Sequence, residues 1–192
     1  LMSTTPLTLA ETASVFSEML TFNAILIAEK SEQTKRFLLA EKIEDMLNTV
    51  VRQVAFHNFE YLVHTHRKRG ELSSEQISQF WVDTQKQALG PGIIIDNSFK
   101  PLWSYIPHFV HSPFYVYAYA FGDCLVNALW QVYQDGSNPE FNVHYKTLLR
   151  NGGTVRFDRA LGPFALNPSK PEFWNKGLDM ISSMIDQVED LQ

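Results

Sequence analysis

Glu11 and Glu18 stand seven residues apart in a segment that is otherwise strongly apolar. On a helix this spacing puts both carboxylates on one face, about two turns from each other. Carboxylates are unusual in such surroundings, so the pair is a candidate for chemistry. Thr8 and Glu11 also have capping-box spacing, by which Glu11 would reach back to a helix terminus, and Glu18 would suit a solvated face. The histidines are His57, His64, His66, His108, His111 and His144, and none belongs to an HExxH pattern. His57 and His64 can share a helical face, but two imidazoles without a fixed third ligand are more simply core or surface residues than a metal site. His108-Phe109-Val110-His111 is more suggestive, because it lies in a Pro-rich aromatic stretch that leads into a helix. Just beyond it, Tyr115, Tyr117 and Tyr119 fall within five residues. At helical pitch Tyr115 and Tyr119 share a face and Tyr117 points elsewhere. Such rings serve amphipathic packing, or a phenol near a polarised carbonyl donates to a developing oxyanion.

These residues must be positioned by helices. Apolar residues recur at helical spacing from about Leu7 to Ala28 and again from about Gln33 to Arg69, the second stretch free of Gly and Pro. His66-Arg67-Lys68-Arg69-Gly70 reads as a helix stop, with basic residues complementing the dipole and Gly70 following the last turn. Ser73 and Gln76 have capping-box spacing and open a helix over about Ser74 to Leu89, closed by Gly90-Pro91-Gly92. Pro113 is placed to begin a helix over about Ser112 to Gln134, closed by Asp135-Gly136. Shorter helices are expected from about Pro139 to Arg150 and from Pro171 to Leu191. Period-two alternation is nearly absent, and there is no internal repeat or low-complexity segment. The fold class is all-α.

Composition narrows the function. The 192 residues are 45% hydrophobic and 19% charged, enough for a sizeable core and too apolar for intrinsic disorder. A formal net charge of −5 lacks the basic character of a nucleic-acid binder. No apolar run approaches the roughly 20 residues of a membrane span. The single cysteine, Cys124, cannot form an internal disulfide, which favours a reducing, cytoplasmic setting. The chain opens Leu1-Met2-Ser3 with no positively charged region ahead of an apolar one, so no signal peptide is expected, and a fragment of something longer is.

Taken together, the motifs resemble one family. Pro6 through Leu20 is similar to the segment of oligoendopeptidase F that follows its HExxH helix; that enzyme belongs with the thimet-type zinc oligopeptidases. Ile106-Pro107-His108-Phe109, followed by Ser112 through Ala120, resembles the same family's downstream His/Tyr motif. Gly70 through Glu75 matches its usual helix break, and Leu148 through Gly153 and Pro171 through Trp174 resemble its C-terminal helices. The resemblance runs over essentially the whole chain and in the right order.

It implies that residues 1–192 form the C-terminal, multi-helix part of a peptidase catalytic domain. Family zinc is held by the two histidines of HExxH and by a glutamate that corresponds to Glu11, with a fourth position left for water. Ser14 and Glu18 then correspond to residues that orient ligands. His108, Tyr115 and Tyr117 match substrate-binding positions, and Tyr119, ahead of His108 and Tyr115, matches the donor to the tetrahedral oxyanion. The implied cofactor is Zn2+ and the implied substrates are short peptides, with no nucleic-acid or membrane partner. HExxH itself is absent and would fall before Leu1, in a missing N-terminal part of the same chain, so the 192 residues alone are expected neither to hold zinc tightly nor to hydrolyse peptides. The competing expectation from another class is a helical scaffold or binding module that keeps the fold without the chemistry; a helical oligomer unrelated to peptidases rests only on the long second segment.

Overall fold

A computed structural model describes residues 6–191, and helices form where the apolar spacing asks for them. Two helices, α1 (Leu7–Ala10) and α2 (Thr12–Ala28), take up the first segment and meet at Glu11. The second segment is the continuous helix α3 (Glu32–Arg67), which ends two residues short of Arg69. Helix α4 (Ser74–Leu89) opens on a complete capping box: Gln76 N–H donates to Ser73 Oγ at 3.3 Å, and Ser73 N–H donates to the Gln76 side chain at 2.9 Å. It stops at Gly90, whose φ of 69° lies in the left-handed region that a side chain disfavours.

The aromatic stretch after Gly90 is more ordered than its composition suggests. Asn97–Tyr105 forms a 3₁₀ segment, capped where the Asp96 carboxylate accepts the Ser98 N–H at 2.8 Å. The expected helix from Ser112 is corrected by the structure. His108–His111 forms a short helix, α5, the chain then turns, and α6 (Tyr117–Gln134) begins five residues later than expected. Pro113 therefore lies in a turn and not at a first helical position. Helices α7 (Phe141–Asn151), α8 (Phe157–Leu161) and α9 (Pro171–Asp190) complete the chain, with Gly162–Phe164 as a single 3₁₀ turn after α8. No strand occurs among the described residues, so the architecture is all-α.

The chain divides into two compact units, and α3 and α6 each run through both. Residues 47–120 form one unit around Phe56, Phe59, Trp81, Val82, Ile106 and Val116. Trp81 spends its indole N–H on the Phe99 carbonyl at 3.1 Å, and Trp103 does the same with Ser78 Oγ at 3.1 Å, so the buried Trp81 and the half-buried Trp103 pack without an orphaned donor.

The other unit joins the residues up to Met46 with those from Phe121 onward. Here Phe16 is the hub of an aromatic cluster with Trp130, Tyr133, Phe141 and Tyr145, at centroid distances of 4.6 to 6.0 Å. Leu125, Val126, Leu129 and Asn127 of α6 are fully enclosed. Gly177 lets α9 approach α6 closely: a Cβ there would stand 3.1 Å from the Cys124 Cα and 3.3 Å from its carbonyl oxygen. Among the described residues no helix is long and apolar enough to cross a membrane.

Candidate functional site

Within the 47–120 unit, the His/Tyr face is assembled by a turn. Pro107, with φ −66° and ψ −24°, leads directly into α5, so His108 is presented from its first residue. Ser112 N–H returns to the His108 carbonyl at 3.0 Å, Phe114 adopts φ 59°, and Tyr115 N–H closes on the Ser112 carbonyl at 3.2 Å. This brings three rings together. His108 stacks on Tyr115 at 5.6 Å, Tyr115 lies 5.2 Å from Tyr119, and His108 Nε2 is 3.2 Å from the Tyr119 hydroxyl oxygen. Tyr115 precedes α6, so Tyr115 and Tyr119 meet through the turn and not through helical pitch. Tyr117 does point elsewhere: it is 43% exposed and meets the His57 ring edge-on at 6.0 Å.

The His108–Tyr119 pair has clear chemical capability. With the proton on Nε2, His108 donates to the phenolic oxygen, and a phenol accepts and donates through the same oxygen. A donor oriented in this way is what a developing oxyanion requires. Both residues are half-buried, which shields the pair while leaving it reachable.

In the other unit, Glu11 occupies the joint between α1 and α2, with φ −92° and ψ 1°. Its side chain makes no cap hydrogen bond, and α1 already begins at Leu7, so the capping reading of Thr8 and Glu11 is not what the chain does. Ser14 Oγ donates instead to Glu11 Oε2 at 2.9 Å and to the Glu11 carbonyl at 3.0 Å. The joint is anchored by its neighbours: Thr12 is buried, and its carbonyl accepts the Tyr145 hydroxyl at 3.2 Å. The Glu11 carboxylate is thus exposed, steadied through one oxygen, and has no hydrogen bond on Oε1 among the described residues. Those properties suit a single carboxylate ligand in a shared metal centre. No group of three His, Cys, Asp or Glu able to hold a metal ion exists among the described residues.

Glu18 is engaged differently. Its carboxylate meets Lys42 Nζ at 2.5 Å, and Lys42, only 7% exposed, also lies 3.7 Å from Asp45. Asp123 belongs to the same electrostatic neighbourhood. Burial pushes its carboxyl up to about 6, against the opposing influence of the Asn127 hydrogen bond and the Lys42 charge. Lys42 and Asp123 escaped the sequence reading because nothing local distinguishes a buried charge from an exposed one. Glu60 escaped it too: a buried residue in the C-terminal part of α3, it accepts the Phe114 N–H at 2.7 Å. His64, singled out with His57, sits 4.0 Å from that carboxylate.

The sequence profile of peptidase family M3 matches residues 2–180. Among curated relatives, oligopeptidase PepF of Bacillus subtilis (strain 168) is 31% identical over 184 residues, covering 95% of this chain and 27% of that protein. Among solved structures, a putative peptidase from Chlamydophila abortus superposes with a TM-score of 0.88 at 28% identity, covering 99% of this chain and 32% of the other. Oligoendopeptidase-F from Enterococcus faecium superposes with a TM-score of 0.86 at 25% identity, covering 99% of this chain and 36% of the other. The chain thus spans about a quarter to a third of the length of the relatives it matches. With nearly the whole sequence under one profile and the all-helical architecture shared, the chain belongs to peptidase family M3.

Proposed function

We propose that this chain works within a cytoplasmic, zinc-dependent oligoendopeptidase that hydrolyses short peptides. The observation that carries the reading is the His108–Tyr119 pair, a phenol held 3.2 Å from an imidazole on a partly shielded surface. Glu11 would supply the carboxylate ligand to zinc, with Ser14 fixing its orientation through Oε2. When bound, zinc polarises the scissile carbonyl and activates the attacking water. Tyr119 donates its hydroxyl proton in a hydrogen bond to the oxygen on which charge develops, and His108 holds that hydroxyl in place. Tyr115, stacked on His108, fixes the imidazole plane, and Tyr117 and His108 contact the peptide. Glu18, paired with Lys42, stabilises the helix face that carries Glu11 and Ser14.

In this reading the chain holds one of three protein ligands and lacks the general base, so it has no peptidase activity by itself. The test compares hydrolysis of a quenched peptide by the 192-residue chain and by a protein that joins this chain to an HExxH segment. Chelator-sensitive turnover is expected only from the second. Robust chelator-sensitive turnover by the 192-residue chain alone overturns the division of labour, and inactivity of a folded, zinc-loaded second protein overturns the peptidase reading.

A further inference from the structure

The turn that builds the His/Tyr face depends on a residue whose conformation is unfavourable. Phe114 has φ 59°, a region that a bulky side chain occupies only where its surroundings impose it. Two contacts from α3 do so. Glu60 Oε1 accepts the Phe114 N–H at 2.7 Å, and the His64 ring lies against the Phe114 ring with centroids 4.7 Å apart. Because His64 Nε2 is also 4.0 Å from Glu60 Oε1, one turn of α3 holds both the backbone and the side chain of Phe114.

Stability alone does not account for this arrangement. Glu60 is 2% exposed, and its Oε2 is buried without a hydrogen-bond partner among the described residues. Sequestering a carboxylate for a single amide hydrogen bond is unfavourable compared with placing an apolar side chain there. What the carboxylate provides is a strong, directional acceptor for one N–H. The residues that follow that N–H are Tyr115, stacked on His108, and Tyr119, whose hydroxyl meets His108 Nε2.

We propose that Glu60 is the positioning residue of the His108–Tyr119 pair: its carboxylate pins Phe114 in the left-handed region, and the pinned turn aims both tyrosines at His108. Its importance for catalysis rests on the reading of that pair as the oxyanion-binding face. Its positioning role does not, and can be measured on the chain without substrate.

The experiment uses the uniformly 15N-labelled 192-residue chain, following amide exchange at Phe114 and the ring nitrogen signals of His108, with Tyr119→Phe as the reference for a broken pair. In Glu60→Leu the Phe114 amide is expected to exchange roughly 10- to 100-fold faster, the loss of a hydrogen bond to a charged acceptor. The His108 ring signals should move to those of Tyr119→Phe. Glu60→Gln keeps an acceptor oxygen and should retain both wild-type readouts. If Glu60→Leu does not fold, Glu60→Asp carries the test, because a side chain one methylene shorter withdraws the acceptor and should reproduce the Tyr119→Phe ring signals. Wild-type His108 signals in a folded Leu or Asp variant overturn the proposal, as does loss of both readouts in a folded Glu60→Gln. Neither readout needs turnover, so a failed peptidase assay counts against the catalytic reading alone.

Discussion

Ser14 donates to Glu11 Oε2 at 2.9 Å from within the same helical turn, so the carboxylate is steadied by the helix that it begins. In an active enzyme containing this chain, Glu11→Gln should lower zinc occupancy and activity together, because the ligand loses its charge. Ser14→Ala leaves the ligand and removes its brace, and is expected to weaken zinc affinity by about 10- to 100-fold. Zinc titration with a chromogenic chelator measures both. Stoichiometric zinc in Glu11→Gln with only a lower Tm would remove Glu11 from the metal centre.

Tyr119→Phe deletes one hydroxyl and little else. Zinc content should stay at the wild-type level while kcat falls by about 10²–10³, as for loss of one oxyanion donor. Steady-state kinetics beside metal analysis separates the two effects. An unchanged kcat would move the donor role to Tyr115 or His108.

Asp123 predicts an unusual pH dependence. Its folded-state pKa, about 6, lies above the ordinary 3.8, so between those values the native state binds more protons than the unfolded chain. Stability from this residue is therefore greatest below about pH 4 and falls as pH rises through 6. Above that, the ionised carboxylate costs up to about 3 kcal/mol. Asp123→Asn preserves an acceptor for Asn127, which donates to Oδ2 at 2.9 Å. The variant should have a higher Tm than wild type at pH 7.5 and lose that advantage near pH 4. Equal Tm values for the two proteins at pH 7.5 would show that Asp123 is better solvated than its burial indicates.

Two helical glycines should respond oppositely to alanine. At Gly177 the new Cβ meets Cys124 backbone atoms at 3.1 and 3.3 Å, which cannot swing aside, so overpacking of about 1–3 kcal/mol outweighs the helix-propensity gain of about 1 kcal/mol. At Gly122 the nearest atom is the Thr8 carbonyl oxygen at 4.0 Å, an ordinary contact, so Gly122→Ala should be neutral or stabilising. Urea unfolding of the pair checks the difference; comparable stability for the two would show that α9 can shift to accept the methyl.

What could be read from the sequence follows the range of the interactions involved. Helix α4 was legible at both ends because its signals are local: the Ser73–Gln76 box and Gly90 lie within its own flanks. The aromatic and proline-rich stretch stands out in the sequence, but its 3₁₀ segment does not, since the partners of Trp81 and Trp103 are 18 and 25 residues away. The start of α6 at Tyr117 is not legible for the same reason. Pro113 offers a plausible local helix start, whereas the carboxylate that accepts the next residue's N–H, that of Glu60, is 54 residues distant. His108, Tyr115 and Tyr119 were identified as candidates and do come together. The turn that unites them, and the ion pair that takes up Glu18, were not legible because no local pattern encodes them.

Cys124 carries a further consequence. The close approach of Gly177 covers it, and burial pushes its thiol up to about 12, so at neutral pH almost none of it is the reactive thiolate. An alkylating reagent can therefore attack only when the packing around Cys124, the α9 contact at Gly177 included, has opened. Since the chain has no other cysteine, the labelling rate reads out that opening without background. The sulfur works as a built-in stopwatch, running only while that seam of the molecule is ajar.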